Sequence, residues 1–245
     1  MTLERGLGAH AEATAPPGFD RSWTLRVWYD AVRLSSLVLF ASTGGLRASG
    51  RGNLPESGGV LLVSNHLSFL DVFVLGIPLG RKLNYVARST LFVSLLGTFI
   101  RSVGGFPINR EGMGASGLKE TLRRLKRGGI VALFPEGTRS LDGLVAPLKP
   151  GIAVLAKKAR VPIVPAGLAG TFEGWPRHRL FPLPHPIRIV YGAAIPPSEL
   201  AGLSTDDVTA LLHARIAACH REALVGLARD MGIDPPLAIE PFAAG

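Results

Sequence analysis

Short apolar runs, each cut off by a polar or glycine-containing stretch, alternate along this chain with segments whose apolar residues recur at helical spacing. Residues 60–64, 83–87, 130–134, 161–167 and 187–191 have the aliphatic density of buried strands, and 106–109 reads as extended. Helical patterns fill the intervals at 68–75, 89–102, 116–127 and 151–159, and a long one covers 205–231. Punctuation agrees with these bounds. Gly128-Gly129 stops the helix at 116–127, in which Glu120 stands four residues before Arg124, and Ser204 with Asp207 forms a capping-box pattern at the head of the last helix. Strand–helix alternation predicts an α/β fold: a single mixed sheet with helices on both faces.

The N-terminal part follows a different pattern. Residues 1–21 carry charges, Gly, Ala and a Pro pair without an apolar core, and read as a loose tail and not a secretory signal. Residues 22–48 form an amphipathic helical region. Arg26, Asp30 and Arg33 share one narrow face, while Trp23, Trp28, Tyr29, Val32 and residues 37–40 make a broad apolar surface. That surface suits packing on the remainder of the chain, a membrane interface, or both. Residues 49–245 then constitute the α/β domain. The uncharged runs 34–46 and 89–100 fall short of the ~18 residues needed to span a bilayer. Residues 170–186, rich in Pro, aromatic and basic residues, read as an ordinary long loop or as a surface loop at a lipid or substrate mouth.

Composition narrows the partners. The 245 residues are 47% hydrophobic and 18% charged, with a net charge of +9 and a sequence pI of about 10.4. A basic balance suits phosphorylated substrates, an anionic membrane surface or nucleic acid. Nucleic acid is disfavoured, since aromatic content is 7% and neither zinc-finger spacing nor an RNP-like string occurs. The single cysteine, Cys219, excludes an intrachain disulfide and sits in an apolar helical pattern, as a core residue would.

Candidate chemistry begins just past the first buried run, at Asn65-His66-Leu67-Ser68-Phe69-Leu70-Asp71. A histidine and an aspartate five positions apart beyond a strand end can fold together. The aspartate then fixes the imidazole tautomer, and the histidine takes a proton from a hydroxyl. The competing assignment makes Asp71 the third residue of a capping box opened by Ser68, with its carboxylate on backbone instead of His66. Two ligands at this spacing, with no third evident, do not make a metal site.

Further blocks follow in order: residues 104–110, ending in Arg110; Phe134-Pro135-Glu136-Gly137-Thr138-Arg139; and 161–165, a strand interrupted by prolines. Together with N-H-x-S-x-x-D these blocks resemble the four motifs of the glycerolipid acyltransferases, the 1-acylglycerol-3-phosphate (lysophosphatidic acid) acyltransferase family, over roughly residues 55–195. The resemblance implies fatty acyl transfer from acyl-CoA or acyl-carrier protein to the 2-hydroxyl of 1-acylglycerol 3-phosphate, giving phosphatidic acid. It implies direct attack by the acceptor, with His66 and Asp71 as the catalytic pair and no acyl-enzyme.

Arg110 and Arg139 then match the arginines that hold the glycerol phosphate, a task for which guanidinium forks are suited. Gly137 permits a tight turn whose amides can face an anion. Glu136 either holds an acceptor hydroxyl or buttresses an arginine. Thr138 belongs to the same block, and Lys149 is a further candidate for anion contact. No cofactor is implied beyond the acyl donor. The partners implied are a lyso-phospholipid, the donor and a membrane surface, with the protein peripheral or monotopic on the cytoplasmic face of the cell membrane. The alternatives are the same chemistry on another lyso-lipid, a thioester hydrolase, and a catalytically silent membrane-binding module.

Overall fold

The computed structural model describes residues 23–42, 44–89, 93–108 and 114–234. In chain order these form α1 (Trp23–Ser42), β1 (Leu46–Ser49), β2 (Val60–Ser64), α2 (Asp71–Val74), β3 (Leu83–Arg88), α3 (Ser94–Ser102), β4 (Gly105–Ile108), α4 (Ala115–Lys126), β5 (Ile130–Leu133), α5 (Gly151–Ala159), β6 (Ile163–Ala169), α6 (Thr171–Gly174), β7 (Ile187–Tyr191) and α7 (Thr205–Met231). The strands make one seven-stranded sheet in the order β1-β7-β6-β2-β5-β3-β4. Neighbours run parallel except β6 and β7, so the sheet is mixed, as expected.

Strand geometry divides the apolar residues between two cores, because successive side chains point to opposite faces. Val60 and Leu62 of β2 meet Phe40 of α1 and Val74, Leu75 and Ile77 around α2. Leu61 and Val63 meet Leu125 of α4, Ile152 and Leu155 of α5, and Leu212 and Ile216 of α7. Both faces are therefore covered, which is why the central strands read as unbroken apolar runs.

Two elements differ from the expectation. The helix foreseen at 68–75 is a single turn, Asp71–Val74, because residues 66–70 are held by hydrogen bonds that serve the site described below. β1 has no apolar run and is an addition to the strands read from the sequence. It pairs parallel with β7 at the sheet edge, Leu46 opposite Ile187, where one partner strand suffices. Asp230 of α7 pairs with both Arg47 and Arg188 and so ties this edge to the last helix.

α7 begins with the foreseen capping box, Ser204 Oγ accepting from Asp207 N–H at 3.1 Å and Asp207 Oδ2 from Ser204 N–H at 3.2 Å. It crosses β6 closely at Gly167. A Cβ built there would stand 2.2 Å from backbone atoms of Cys219 and His220, and neither can swing away as a side chain would. Cys219 itself is buried, and burial pushes its thiol up to about 11. Gly167→Ala should therefore destabilise the fold by roughly 1–3 kcal/mol, as overpacking does. Urea denaturation checks this, and an unchanged midpoint would show that α7 can move off the sheet.

Candidate active site

Parallel pairing of β2 with β5 sets the site. Val63 lies opposite Leu133, so the residues that follow each strand leave the sheet side by side. His66 and Glu136, each three residues past that pair, meet: Glu136 Oε1 accepts the backbone N–H of His66 at 2.8 Å. Glu136 Oε2 accepts the N–H of Ala146 at 3.1 Å, and Ser140 N–H donates to the His66 carbonyl at 2.7 Å. Both backbone groups of His66 are thus gripped by the Phe134–Ser140 segment. The His66 ring stacks on Phe134, with centroids 4.1 Å apart and planes at 14°.

Asp71 serves His66 and the backbone at once, although no capping box opened by Ser68 forms: the cap position of α2 is Leu70 and carries no side-chain hydrogen bond. His66 Nδ1–H donates to Asp71 Oδ2 at 2.8 Å, and the same oxygen accepts the N–H groups of Leu67 at 2.6 Å and Ser68 at 2.7 Å. The carboxylate that orients the imidazole also shapes the turn carrying it. Asp71 is fully buried, while 17% of the His66 side chain is exposed. With Nδ1 committed as a donor, Nε2 is the ring's proton acceptor.

Asn65 secures the turn from below. Its side-chain amide donates to Leu168 O at 3.1 Å and accepts from Leu168 N–H at 2.8 Å, extending the pairing of β2 with β6 by one side chain. His220 of α7 completes this buried knot, with Nδ1 at 2.7 Å from Leu168 O and 3.1 Å from Asn65 Nδ2. Burial holds the His220 pKa below the usual histidine value.

Arg139 lies beside the pair, its guanidinium carbon 3.5 Å from the centroid of the Phe69 ring. Phe69 in turn tilts against Trp175, with centroids 5.4 Å apart, and Ser68 Oγ donates to Trp175 O at 2.8 Å. The other residues singled out from the sequence divide. Gly137 makes the foreseen tight turn at φ 72°, but its N–H closes that turn onto Phe134 O at 3.1 Å and is not presented to an anion. Thr138 is exposed in the same turn. Lys149 is exposed and its stem passes Gly137, whose Cβ, were there one, would lie 3.4 Å from Lys149 Cγ. Arg110 lies outside the described residues.

Glu136 has a task that the sequence reading did not foresee. It binds the backbone of His66. Phe134 and Ser140 were not foreseen either, although their only signal is proximity to that glutamate in the string. Among the described residues, no three His, Cys, Asp or Glu side chains converge in a way that would hold a metal ion.

Burial pushes the Glu136 carboxyl up to about 7; Asp71 and Asp142 add to the rise, and the His66 and Ala146 N–H groups oppose it. A carboxyl raised on folding stabilises the protein most below its unfolded pKa, and that stability is lost as pH climbs through about 7. Replacing it with a neutral amide should remove this fall, worth roughly 3 kcal/mol. Denaturation of Glu136→Gln against the parent from pH 4 to 8 reads it directly. The gap between the two should change with pH; a constant gap would contradict the assignment.

A family model described as Acyltransferase matches residues 45–169, which include His66, Asp71, Glu136 and Arg139. A protein of Bacillus subtilis named 1-acyl-sn-glycerol-3-phosphate acyltransferase is 34% identical over 139 residues, 56% of this chain and 69% of that one. A chloroplastic protein of that name from Brassica napus is 38% identical over 126 residues, covering 50% of this chain and 36% of its own length. The crystal structure of the 1-acyl-sn-glycerophosphate (LPA) acyltransferase from Thermotoga maritima shares the fold, with a TM-score of 0.71, 22% identity and 83% of each chain covered. His66 and the Phe134–Ser140 segment that grips its backbone thus both lie within the span that the family model matches, and the chain belongs to the acyltransferase family.

Proposed function

We propose that this protein transfers a fatty acyl group from acyl-CoA or acyl-carrier protein to the 2-hydroxyl of 1-acylglycerol 3-phosphate, producing phosphatidic acid. The observation that carries this reading is the His66–Asp71 pair, with Arg139 held beside it on Phe69. The names of its relatives support the choice of acceptor.

The steps follow from the geometry. His66 Nε2 accepts the proton of the acceptor hydroxyl as its oxygen attacks the thioester carbonyl. Asp71, buried and hydrogen-bonded to Nδ1, stabilises the imidazolium that forms. Collapse of the tetrahedral intermediate breaks the carbon–sulfur bond, and the departing thiolate takes the proton back from His66. The imidazole returns to its starting state without an ester to the protein. Arg139, and Arg110 by its place in the sequence pattern, supplies the phosphate with charged, forked donors.

α1 supports attachment to one leaflet, on the cytoplasmic face, where the acyl donors are made. Tyr29, Phe40 and Arg33 face the domain, the last donating from Nε to Ile77 O at 2.7 Å. Trp23, Val27, Leu34 and Val38, at i, i+4, i+11 and i+15, make an outward apolar stripe, with Asp30 exposed among them. No described helix is long and apolar enough to cross a membrane.

The deciding experiment is an acyltransferase assay over a panel of lyso-lipids with both donor types, including an arm without acceptor. Lysophosphatidate should be the preferred acceptor, and thioester consumption without acceptor should be negligible. Rapid acceptor-free hydrolysis would instead mark a hydrolase. His66→Ala should lower transfer by ~10²–10⁴-fold while the fold is kept. Arg139→Ala should lower kcat/KM for lysophosphatidate on the order of tenfold or more while leaving the KM for the acyl donor little changed. Near-normal turnover in folded His66→Ala would refute the mechanism. Attachment is read by flotation: vesicle-bound protein should stay bound in about 1 M salt, because apolar burial is not screened. Release by salt would reject α1 as an apolar anchor.

A further inference from the structure

A second apolar projection borders the site. The segment from Trp175 to Leu183 closes on itself at its base, where Leu183 N–H donates to Gly174 O at 2.7 Å. Across its interior, the Trp175 indole N–H donates to Arg179 O at 3.0 Å, and Arg179 N–H donates to Pro176 O at 3.1 Å. These bonds order the loop while turning its apolar side chains outward. Leu180 is 77% exposed, Phe181 71% and Leu183 53%. Arg177, His178 and Arg179, all exposed, form a basic collar directly before that tip. Pro182, Pro184 and Pro186 follow and limit the backbone's freedom to fold the tip back.

The loop is joined to the catalytic turn. Trp175 packs on Phe69, and its carbonyl accepts from Ser68 Oγ. Phe69, just before α2, and Phe73 within it are both exposed. Phe73 in turn lines an apolar crevice with Tyr29, Val32 and Ser36 of α1. Exposed apolar side chains thus occur on α1, at Phe73 and Phe69 beside the catalytic pair, and at the loop tip.

We propose that the 175–183 loop is a second membrane-insertion element: its Leu180-Phe181 tip enters the acyl boundary of an anionic bilayer while Arg177 and Arg179 meet headgroup phosphates. With α1 it gives a second point of attachment, joined to the catalytic turn through Phe69 and Ser68, which keeps that turn near the lipid from which the acceptor is drawn. This rests on the acceptor being a membrane lipid. The arginine collar alone would equally suit an acidic protein such as an acyl carrier; the highly exposed leucine–phenylalanine tip beside it favours a bilayer, which buries apolar side chains without a complementary pocket. A basic collar behind an apolar tip is the pattern of an interfacial element.

The test reads insertion without turnover. Phe181→Cys of the full chain is labelled with an environment-sensitive fluorophore; the chain's other thiol, Cys219, is buried and escapes labelling. Vesicles of phosphatidylcholine with phosphatidylglycerol should shift the emission to the blue, spin-labelled acyl chains should quench it, and phosphatidylcholine alone should give a smaller effect. An unmoved spectrum on vesicles that do bind the protein would overturn the proposal. So would a shift produced by acyl-carrier protein and not by vesicles. In the unlabelled protein, Leu180→Ser with Phe181→Ser should weaken vesicle binding on the order of tenfold. That variant should keep activity on a water-soluble short-chain acceptor within about twofold, since neither residue touches the catalytic pair. Transfer on vesicles matching the parent would count against the loop. Loss of all transferase activity in the parent, with insertion intact, would instead fault the proposed reaction and leave this surface standing.

Discussion

One carboxylate oxygen organises the site. Asp71 Oδ2 receives the imidazole Nδ1–H of His66 and the backbone N–H groups of Leu67 and Ser68. The peptide between the two catalytic residues is therefore wrapped around its own acid, and the base is aimed by the same bonds that form the turn. Such arrangements lower the entropy that must be lost when reactants align. They also explain why α2 is one turn long: the residues that would have extended it toward its N-terminus are drawn into the carboxylate instead.

Around that oxygen the fold supplies a frame of backbone contacts. Glu136 and Ser140 take the two backbone groups of His66, Asn65 takes those of Leu168, and His220 sits beneath, packed where α7 crosses β6. Every one of these bridges ties the end of β2 to β6, to the loop after β5 or to the helix behind the sheet. Their positions follow from strand register: a shift of one residue between β2 and β5 would separate His66 from Glu136 and turn the side chains of β2 to the wrong core.

This frame also sets what could be read from the chain alone. Central strands buried on both faces are continuous apolar runs, and the helices between them carry caps and glycine stops, so the mixed sheet and its coverings were legible. His66 and Asp71 were legible because their spacing is local. β1 was not, because an edge strand with one neighbour needs no apolar run. The contact of Glu136 with the His66 backbone was not, because it joins residues far apart in the chain and depends on register, which no local pattern encodes. Trp175 is a similar case: its place against Phe69 comes from the path of a loop whose composition does not say what it packs on.

The grip of Glu136 and Ser140 on the two backbone groups of His66 makes the loops after β2 and β5 a single mechanical body. Energetic effects within one such body do not add. Paired substitutions drawn from the two blocks should therefore couple in double-mutant cycles, although the residues belong to separate stretches of chain. Grafting either block alone onto another sheet would carry the side chains without the geometry, because the unit of inheritance here is the pair of loops.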